Sequence, residues 1–445
     1  MIHYQLLAKK SIWNNRRLIV SYKRQVAIVL LSHNIDNIQG AYNMAEFKFK
    51  EKYDIPTITY TPTETDEFHL KEIRDFFNSE NIPYEEDKET YGLFYVNDKQ
   101  VEIRYIDSYF FPMDNEKRFG EIGKGVPHNY FVDISHMKVE QGIRVIWVFD
   151  FEMEQHNTII VDGKEVEHRR QWEVIKNTIR TCTGHIHHRF FARDFEVKEV
   201  DNKELRPFLE TNCFYGYRSA NKNLGLYLKK DKNGFKKGTL LFVLTFGYNF
   251  YGNKKRMDNP FIEIIRASTK LECQVIGGMS KVLTHFCKEY PTLHVGDNDI
   301  MVNELIFYCD ASHNDGRGMS NSALAFNFVS WQGTGFMNRW TCDYNGKEDN
   351  RVCKNGKGFG GLFGKKGEIF HRKPMYHQQI MQLMSEGKIV SIANAGTSVY
   401  SILRKDWVRK NCEKWFNENW DNEVQKLKEQ GFDVSLLDVE VKANI

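Results

Sequence analysis

The stretch "CQVIGGMSKVLTHFCKEY", residues 273–290, breaks an apolar run with two glycines and settles at once into a helical period. Glycine lacks a Cβ, so it permits both an unusual turn and close approach of a ligand to the backbone. The free N–H groups at a helix start attract anions. Two readings therefore stand. One is a tight strand-to-helix turn with no ligand. The other is an anion-receiving loop in which Gln274, Gly277, Gly278 and Ser280 follow the pattern Gln-x-x-Gly-Gly-x-small, with Lys281 adding charge one residue on.

Strand candidates lie on both sides of this stretch. "NLGLYLKK", "GTLLFVLTFGY" and "FIEIIRAST" precede it and "ELIFYCDAS" follows. A second helix is expected at "MSNSALAFNFVSW", and the Gly-rich "NGKGFGGLFGKKG" reads as a flexible surface loop. "KDWVRKNCEKWFNENWDNEVQKLKEQGF" reads as one amphipathic helix ending at a glycine, with Trp407, Trp415 and Trp420 as core residues. Upstream, residues 65–155 read α-β-β-α-β. "DEFHLKEIRDFFNSENI" has helical spacing, two alternating runs flank the turn signal "NDK", a helix lies near 129–141, and "GIRVIWVFDF" is a strand. A basic helix near 170–182 follows.

Composition bounds the class. The chain has 445 residues, enough for one to three domains. Apolar residues make up 41%, and no uncharged apolar run reaches the length of a membrane span. The N-terminus carries charges through its apolar part and does not read as a secretory signal. Eight cysteines form no C-x-x-C pair, so neither a zinc ribbon nor a disulfide framework is indicated, and reduced thiols are expected. "GHIHHR" places His185, His187 and His188 together, and a polar linker explains them without a metal. The net charge is only +3, but basic clusters recur at "HIHHRFFAR", "KKDKNGFKK", "GNKKR" and "FGKKGEIFHRK". Several interleave with aromatics, which suits phosphate contact and base stacking as well as it suits solvated loops. Asp310, at a strand end, is placed to orient a substrate amine, to act as a base, or to cap its own loop. Cys213 reads as an inert buried thiol.

Taken together, "FLETNCFYGY", "LGLYLKK", "LTFGY" and "IEIIRASTKLECQVIGGMSK" resemble a module of phage-type proteins related to the Mom DNA-modification protein, which has a GNAT-like fold. The glycine loop by itself resembles the acyl-coenzyme-A pyrophosphate loop of GNAT acyltransferases. The resemblance implies that Arg266, Gln274, Gly277, Gly278, Ser280 and Lys281 bind acyl-CoA or a related anionic donor. It also implies that Asp310, from "YCDASH", serves the reaction, and that "ANAGTSVYSI" is the closing strand. Four positions depart: Cys213 and Tyr215 stand where the module has the histidine and glutamine of HxQG, and Ser322 and Ala325 stand where its SNGxLYxxLGF helix has a glycine and a tyrosine.

In the phage Hef-like homing endonuclease family this module follows a PD-(D/E)XK nuclease domain. Residues 65–155 resemble that domain, best at "QGIRVIWVFDFEM". Such a site holds Mg2+ on acidic side chains. Here the family's aspartate position falls on Gly92, its glutamate positions on Arg104 and Leu70, and its histidine near Phe131. Only Glu67, Glu72, Glu102 or Asp107 stand near enough to replace them.

The expected architecture is α/β (α+β). It comprises a basic extension (1–60), a restriction-endonuclease-like mixed sheet (61–160), a basic helical linker (161–200), a GNAT-like twisted sheet with flanking helices (201–404), and a C-terminal amphipathic helix (405–445). The resemblance implies a DNA-acting protein of the cytoplasm of a phage-infected bacterium, with double-stranded DNA as partner. Its nuclease fold would bind without cutting, and its second module would modify a base. Three alternatives stay open: a working Mg2+-dependent homing endonuclease using Glu72, Glu102 and Asp107, an inert DNA-binding protein, and an acyl-CoA-dependent N-acyltransferase for a small amine or peptide.

Overall fold

Thr63 starts the first described helix by a reciprocal cap. Its hydroxyl accepts from the Asp66 N–H, while the Asp66 carboxylate accepts from the Thr63 N–H at 2.7 Å. The computed structural model describes residues 62–108, 129–161, 163–248, 261–321, 323–332, 336–353, 356–371 and 377–438, with Tyr53, Ile55 and Pro127. Apart from Tyr53 and Ile55, the expected 1–60 extension lies outside the described residues.

Helix α1 (Glu64–Ser79) buries Leu70, Ile73, Phe76 and Phe77 on one face. Strands β1 (Tyr84–Glu86), β2 (Leu93–Val96) and β3 (Val101–Ile106) pair antiparallel. Asn97, Asp98 and Lys99 all take left-handed φ (52°, 52° and 65°) in the turn between β2 and β3. Helix α2 (Tyr130–Glu140) crosses over, and β4 (Arg144–Phe149) joins β3 in parallel. Helix α3 (Asp150–Glu154), the hairpin of β5 (Asn157–Val161) and β6 (Lys164–His168), and helix α4 (Arg170–Thr183) follow. The segment 161–200 is not a linker. Its helix α4 puts Trp172, Ile175 and Ile179 into the core of this first sheet, because its apolar residues share one face despite the basic composition.

The second sheet is larger. Strand β7 (His188–Phe191) precedes β8 (Phe195–Glu199), α5 (Asn202–Asn212), β9 (Lys222–Leu228), β10 (Leu240–Tyr248), β11 (Phe261–Thr269), β12 (Cys273–Ile276) and α6 (Gly278–Glu289). Then come the hairpin of β13 (Thr292–Val295) and β14 (Asn298–Met301), and β15 (Glu304–Asp310). Strands β16 (Asn327–Gln332), β17 (Phe336–Trp340), β18 (Tyr344–Asn345), β19 (Phe363–Gly364) and β20 (Ile369–His371) lead through α7 (His377–Ser385) to β21 (Ile389–Ala393) and β22 (Thr397–Leu403). The sheet runs β16-β22-β15-β11-β10-β9-β8. Every neighbouring pair in it is antiparallel except β11 with β15. That parallel pairing covers only Phe261–Ile264 against Glu304–Phe307, after which the strands part. A bulge in the β10–β11 ladder, between Ile264 and Arg266, falls at the same level. A smaller sheet, β20-β17-β21, stands apart from both.

Three local expectations change. The helix expected at "MSNSALAFNFVSW" is a short 3-10 turn followed by strand β16. Asn321 accepts from the N–H groups of Ala323 and Leu324, Ala325 adopts φ 53°, and Phe328 and Trp331 then pair with β22. The Gly-rich stretch is docked rather than free: Phe359 is fully buried, and the Gly364 backbone lies against the Trp340 indole, where a Cβ would meet a ring atom at 2.1 Å. The C-terminal helix breaks at Cys412 (φ −142°) into α8 (Arg404–Asn411) and α9 (Glu413–Glu429). Trp407 and Trp420 are core, and the buried Arg404 guanidinium lies 5.2 Å over Trp420 and 2.6 Å from Glu423. Among the described residues, no helix is long and apolar enough to cross a membrane.

The paired glycines have separate jobs. Gly277 takes φ 73° to reverse the chain, and β12 pairs with β7 rather than with the main sheet. Gly278 sits on the core, where a Cβ would be 2.9 Å from Val275 Cγ1 and 3.2 Å from Leu226 Cδ1. Gly278→Val is expected to cost about 1–3 kcal/mol by overpacking, and Gly277→Ala about 1–2 kcal/mol by backbone strain, in urea titration. A neutral Gly278→Val would refute the packing account.

Candidate functional site

Where β11 and β15 part, a cleft of about 540 Å3 opens, walled by Arg266 and Ser268 of β11, Tyr308 and Asp310 of β15, and the loop after α5. A second cavity of about 190 Å3 is walled by Phe149, Phe151, Glu152, Gln171 and Met337. Phe214, Tyr215, Asp310 and His313 line both.

These side chains form one chain of contacts. The Tyr215 hydroxyl donates to Asp310 Oδ2. His313 Nδ1 lies 3.4 Å from the same oxygen, and Nε2 lies 3.1 Å from Glu152 Oε1. Glu152 also accepts from the Phe149 N–H at 3.0 Å, and Asp310 from the Ser312 N–H at 2.9 Å. The Phe214 ring covers the imidazole, with centroids 4.3 Å apart. Elements far apart in sequence meet here: α3 supplies Glu152, the end of β15 supplies Asp310 and its loop His313, and the α5–β9 loop supplies Tyr215.

The electrostatics follow from burial with opposite charges in contact. Burial by itself would lower the His313 pKa, but Glu152 and Asp310 outweigh it and push it up to about 10. Burial likewise works to raise Asp310, yet His313, Tyr215 and the Ser312 N–H hold it down to about 2. Burial pushes the Glu152 carboxyl up and the imidazolium opposes it. The Tyr215 phenol is pushed well above its ordinary value by desolvation and by Asp310. With 45% of Tyr215 exposed, the carboxylate is the cause that matters. At neutral pH the set thus holds a Tyr215 phenol, an ionised Asp310 and a His313 imidazolium, with burial working against the charged form of Glu152.

Arg266 lines the cleft, but its guanidinium bonds go to backbone: Nε donates to Gly216 O at 2.9 Å, with Ile265 O at 2.9 Å and Tyr215 O at 3.5 Å. It holds the loop that carries Tyr215. Gln274, Gly277, Gly278, Ser280 and Lys281 line neither cavity. Gln274 Oε1 accepts from Arg189 at 3.2 Å, and Lys281 Nζ donates to Ala192 O at 2.9 Å and Phe195 O at 2.6 Å. Lys281 is therefore turned back onto the chain before β8. Burial pushes the Cys213 thiol up, away from thiolate character.

The acidic candidates of the first sheet are dispersed and engaged. Glu72 pairs with Arg169 and accepts from Trp172 Nε1 at 2.9 Å. Glu102, fully buried, lies 2.6 Å from both Arg104 and Lys138. Asp107 is buried just past the end of β3. Nearby, Arg339 of β17 takes Asp150 at 2.5 Å and also binds Glu154. Among the described residues, no group of three or more His, Cys, Asp or Glu is arranged to hold a metal ion. Glu72 and Glu102 do not fit a Mg2+ centre, because arginine and lysine already neutralise their carboxylates.

Sequence reasoning found Asp310 and missed its partners. His313, three residues on, carried a spacing signal. Tyr215 occupied a position marked only as a departure from HxQG. Glu152 carried no signal, since nothing local ties α3 to β15. No family model matches the chain, and no curated protein matches it.

The sign of the pH dependence is fixed by His313. Below pH 6.5 its ring is protonated in both folded and unfolded chains, so its stabilisation is fully present, and it is lost as pH rises towards about 10. Asp310 acts at the other end: its contribution is present above pH 3.8 and is lost as pH falls through about 2. His313→Gln is expected to melt well below the parent chain at about pH 6 and to close that gap by about pH 10. A gap that stays constant over this range would show that His313 is not held as an imidazolium.

Proposed function

We propose that this chain is a DNA-acting group transferase in which an anionic donor such as acyl-CoA enters the cleft between β11 and β15 and an exocyclic amine of DNA meets Asp310. One observation carries the reading: Asp310, an ionised carboxylate, stands in the wall shared by an open cleft and a smaller cavity. The cleft has the size of small-molecule sites, whereas the second cavity is below that range and suits a single small group. The mostly antiparallel sheet with its helices supports the GNAT-like resemblance of "LGLYLKK", "LTFGY" and "IEIIRASTK". The DNA half of the proposal rests on the resemblance and on the basic, aromatic clusters.

The charges assign roles. An efficient general base titrates near the working pH, and Asp310 at about 2 lies far below it. Its work is to accept the amine N–H and stabilise positive charge on nitrogen as the C–N bond forms. The donor's C–S bond breaks, the thiolate leaves with the electron pair, and the amine proton passes to that thiolate or to water. Tyr215 and His313 hold Asp310 ionised and oriented, and Arg266 holds the Tyr215 loop. The first sheet is proposed to grip DNA without cutting it, because Glu72, Glu102 and Asp150 are committed to arginine and lysine.

Nucleosides from the DNA of cells expressing the parent chain are expected to include a mass-shifted species, reduced about 100-fold in Asp310→Asn cells. Unmodified nucleosides throughout, alongside acylation of free small amines by the purified chain, would transfer the reading to a small-amine acyltransferase. Duplex DNA incubated with Mg2+ or Mn2+ is expected to stay intact. Metal-dependent cleavage abolished by Glu102→Ala would restore the nuclease reading.

A further inference from the structure

Two basic stretches separated in sequence become neighbours in the fold. Residues 189–198 and 229–237 carry eight Lys or Arg against three Asp or Glu, while the whole chain holds 62 against 59. Positive charge is concentrated there well beyond the average. The loop between β9 and β10 is fastened onto the β7–β8 turn. Asn233 donates to Arg189 O at 3.2 Å, the Lys229 N–H to Asp194 O at 3.0 Å, and Lys229 Nζ to Arg193 O at 3.2 Å. Phe235 anchors the loop from beneath, its ring 5.1 Å from His188 and 5.7 Å from Phe190.

The charge faces outward. Arg189, Arg193, Lys229, Lys230, Lys236 and Lys237 are exposed. The carboxylates present have other partners: Asp194 pairs with Lys232, Asp231 with Lys236, and Glu196 with Lys198. Among the described residues, no ion pair engages Arg189, Arg193, Lys229, Lys230 or Lys237. Within this field Phe191 is 42% exposed, with the Arg193 guanidinium 5.1 Å over its ring. An ordered scaffold of unpaired cations around an exposed aromatic suits a polyanion that also offers flat rings to stack.

We infer that the joined surface of the β7–β8 turn and the β9–β10 loop binds the sugar–phosphate backbone of a nucleic acid, with Phe191 stacking on an unpaired base. The inference rests on the DNA-acting reading and adds phosphate contacts on the second sheet's edge to the grip proposed for the first sheet. Each cation that neutralises a phosphate releases a counterion, so affinity falls with salt in proportion to the number of contacts.

The test uses the full chain, a random-sequence duplex and single strand, and vesicles rich in phosphatidylserine, each titrated over a range of salt. Combining Arg193→Gln, Lys229→Gln, Lys230→Gln and Lys237→Gln is expected to flatten the plot of log affinity against log salt by roughly three units. The same number of changes at Lys410, Lys414, Lys426 and Lys428 should leave it unaltered. Phe191→Ala is expected to weaken single-strand binding roughly tenfold and duplex binding far less. Should the fourfold variant misfold by circular dichroism, Lys230→Gln with Lys237→Gln carries the same test at about half the change in slope. Unchanged slopes in a parent chain that binds DNA would reject this surface and leave the DNA-acting reading standing. A parent chain that binds neither duplex nor single strand would reject both. Patch-dependent binding to vesicles without nucleic-acid binding would reassign the surface to a membrane.

Discussion

A single imidazolium organises this molecule. His313 lies between Glu152, on the helix after β4, and Asp310, at the end of β15. A buried carboxylate and a half-buried one sharing this imidazole would otherwise favour a proton on one of them. The imidazolium favours the ionised form of both, and in doing so it joins the first sheet to the second. The joint is reinforced by backbone, since the Trp147 N–H donates to Ser312 O at 2.8 Å, one residue from His313. Arg339 repeats the device, drawing Asp150 and Glu154 of α3 against β17. Removing one member of such a set leaves an uncompensated buried charge, which typically costs 3–5 kcal/mol. The seam is thus both a structural tie and the wall of the two cavities.

The cleft has a different origin. Antiparallel neighbours stay paired along most of the second sheet, but β11 and β15 hold each other for only four residues before they part. Their unpaired ends and the bulge at Arg266 leave room that side chains alone would have filled. Asp310 comes from the last position of β15, so the opening and the carboxylate are set by the same strand end. Its low pKa makes it a fixed negative charge rather than a proton acceptor. That distinction follows from its neighbours, since an isolated aspartate at a strand end would titrate in the ordinary carboxylate range.

Local patterns were legible wherever one element carried its own signal. The capped helix at Thr63, the "NDK" turn, the strand "GIRVIWVFDF" and the four strands round the glycine loop all form where their periodicity placed them. Patterns failed where long-range pairing won. "SNSALAFNFVSW" has helical residues at its start, yet β22 claimed its second half as an edge strand. The Gly-rich stretch looked free because glycine is compatible with a flexible loop, whereas Gly364 is there to let Trp340 approach the backbone. The short hairpins β5–β6 and β13–β14 were too brief to stand out.

The sequence by itself determined the α/β class, the order of most elements, the strand-to-helix turn at Gly277 and the place of Asp310 at a strand end, because each is encoded by residues near one another in the chain. Tertiary structure decided what those residues face. It turned Lys281 onto backbone carbonyls, gave Arg266 to the Tyr215 loop, and brought Glu152 to His313 across about 160 residues. It also merged two separate basic stretches into one surface. Charge pairing and burial depend on which distant side chain shares the same low-dielectric space, and no local pattern encodes that.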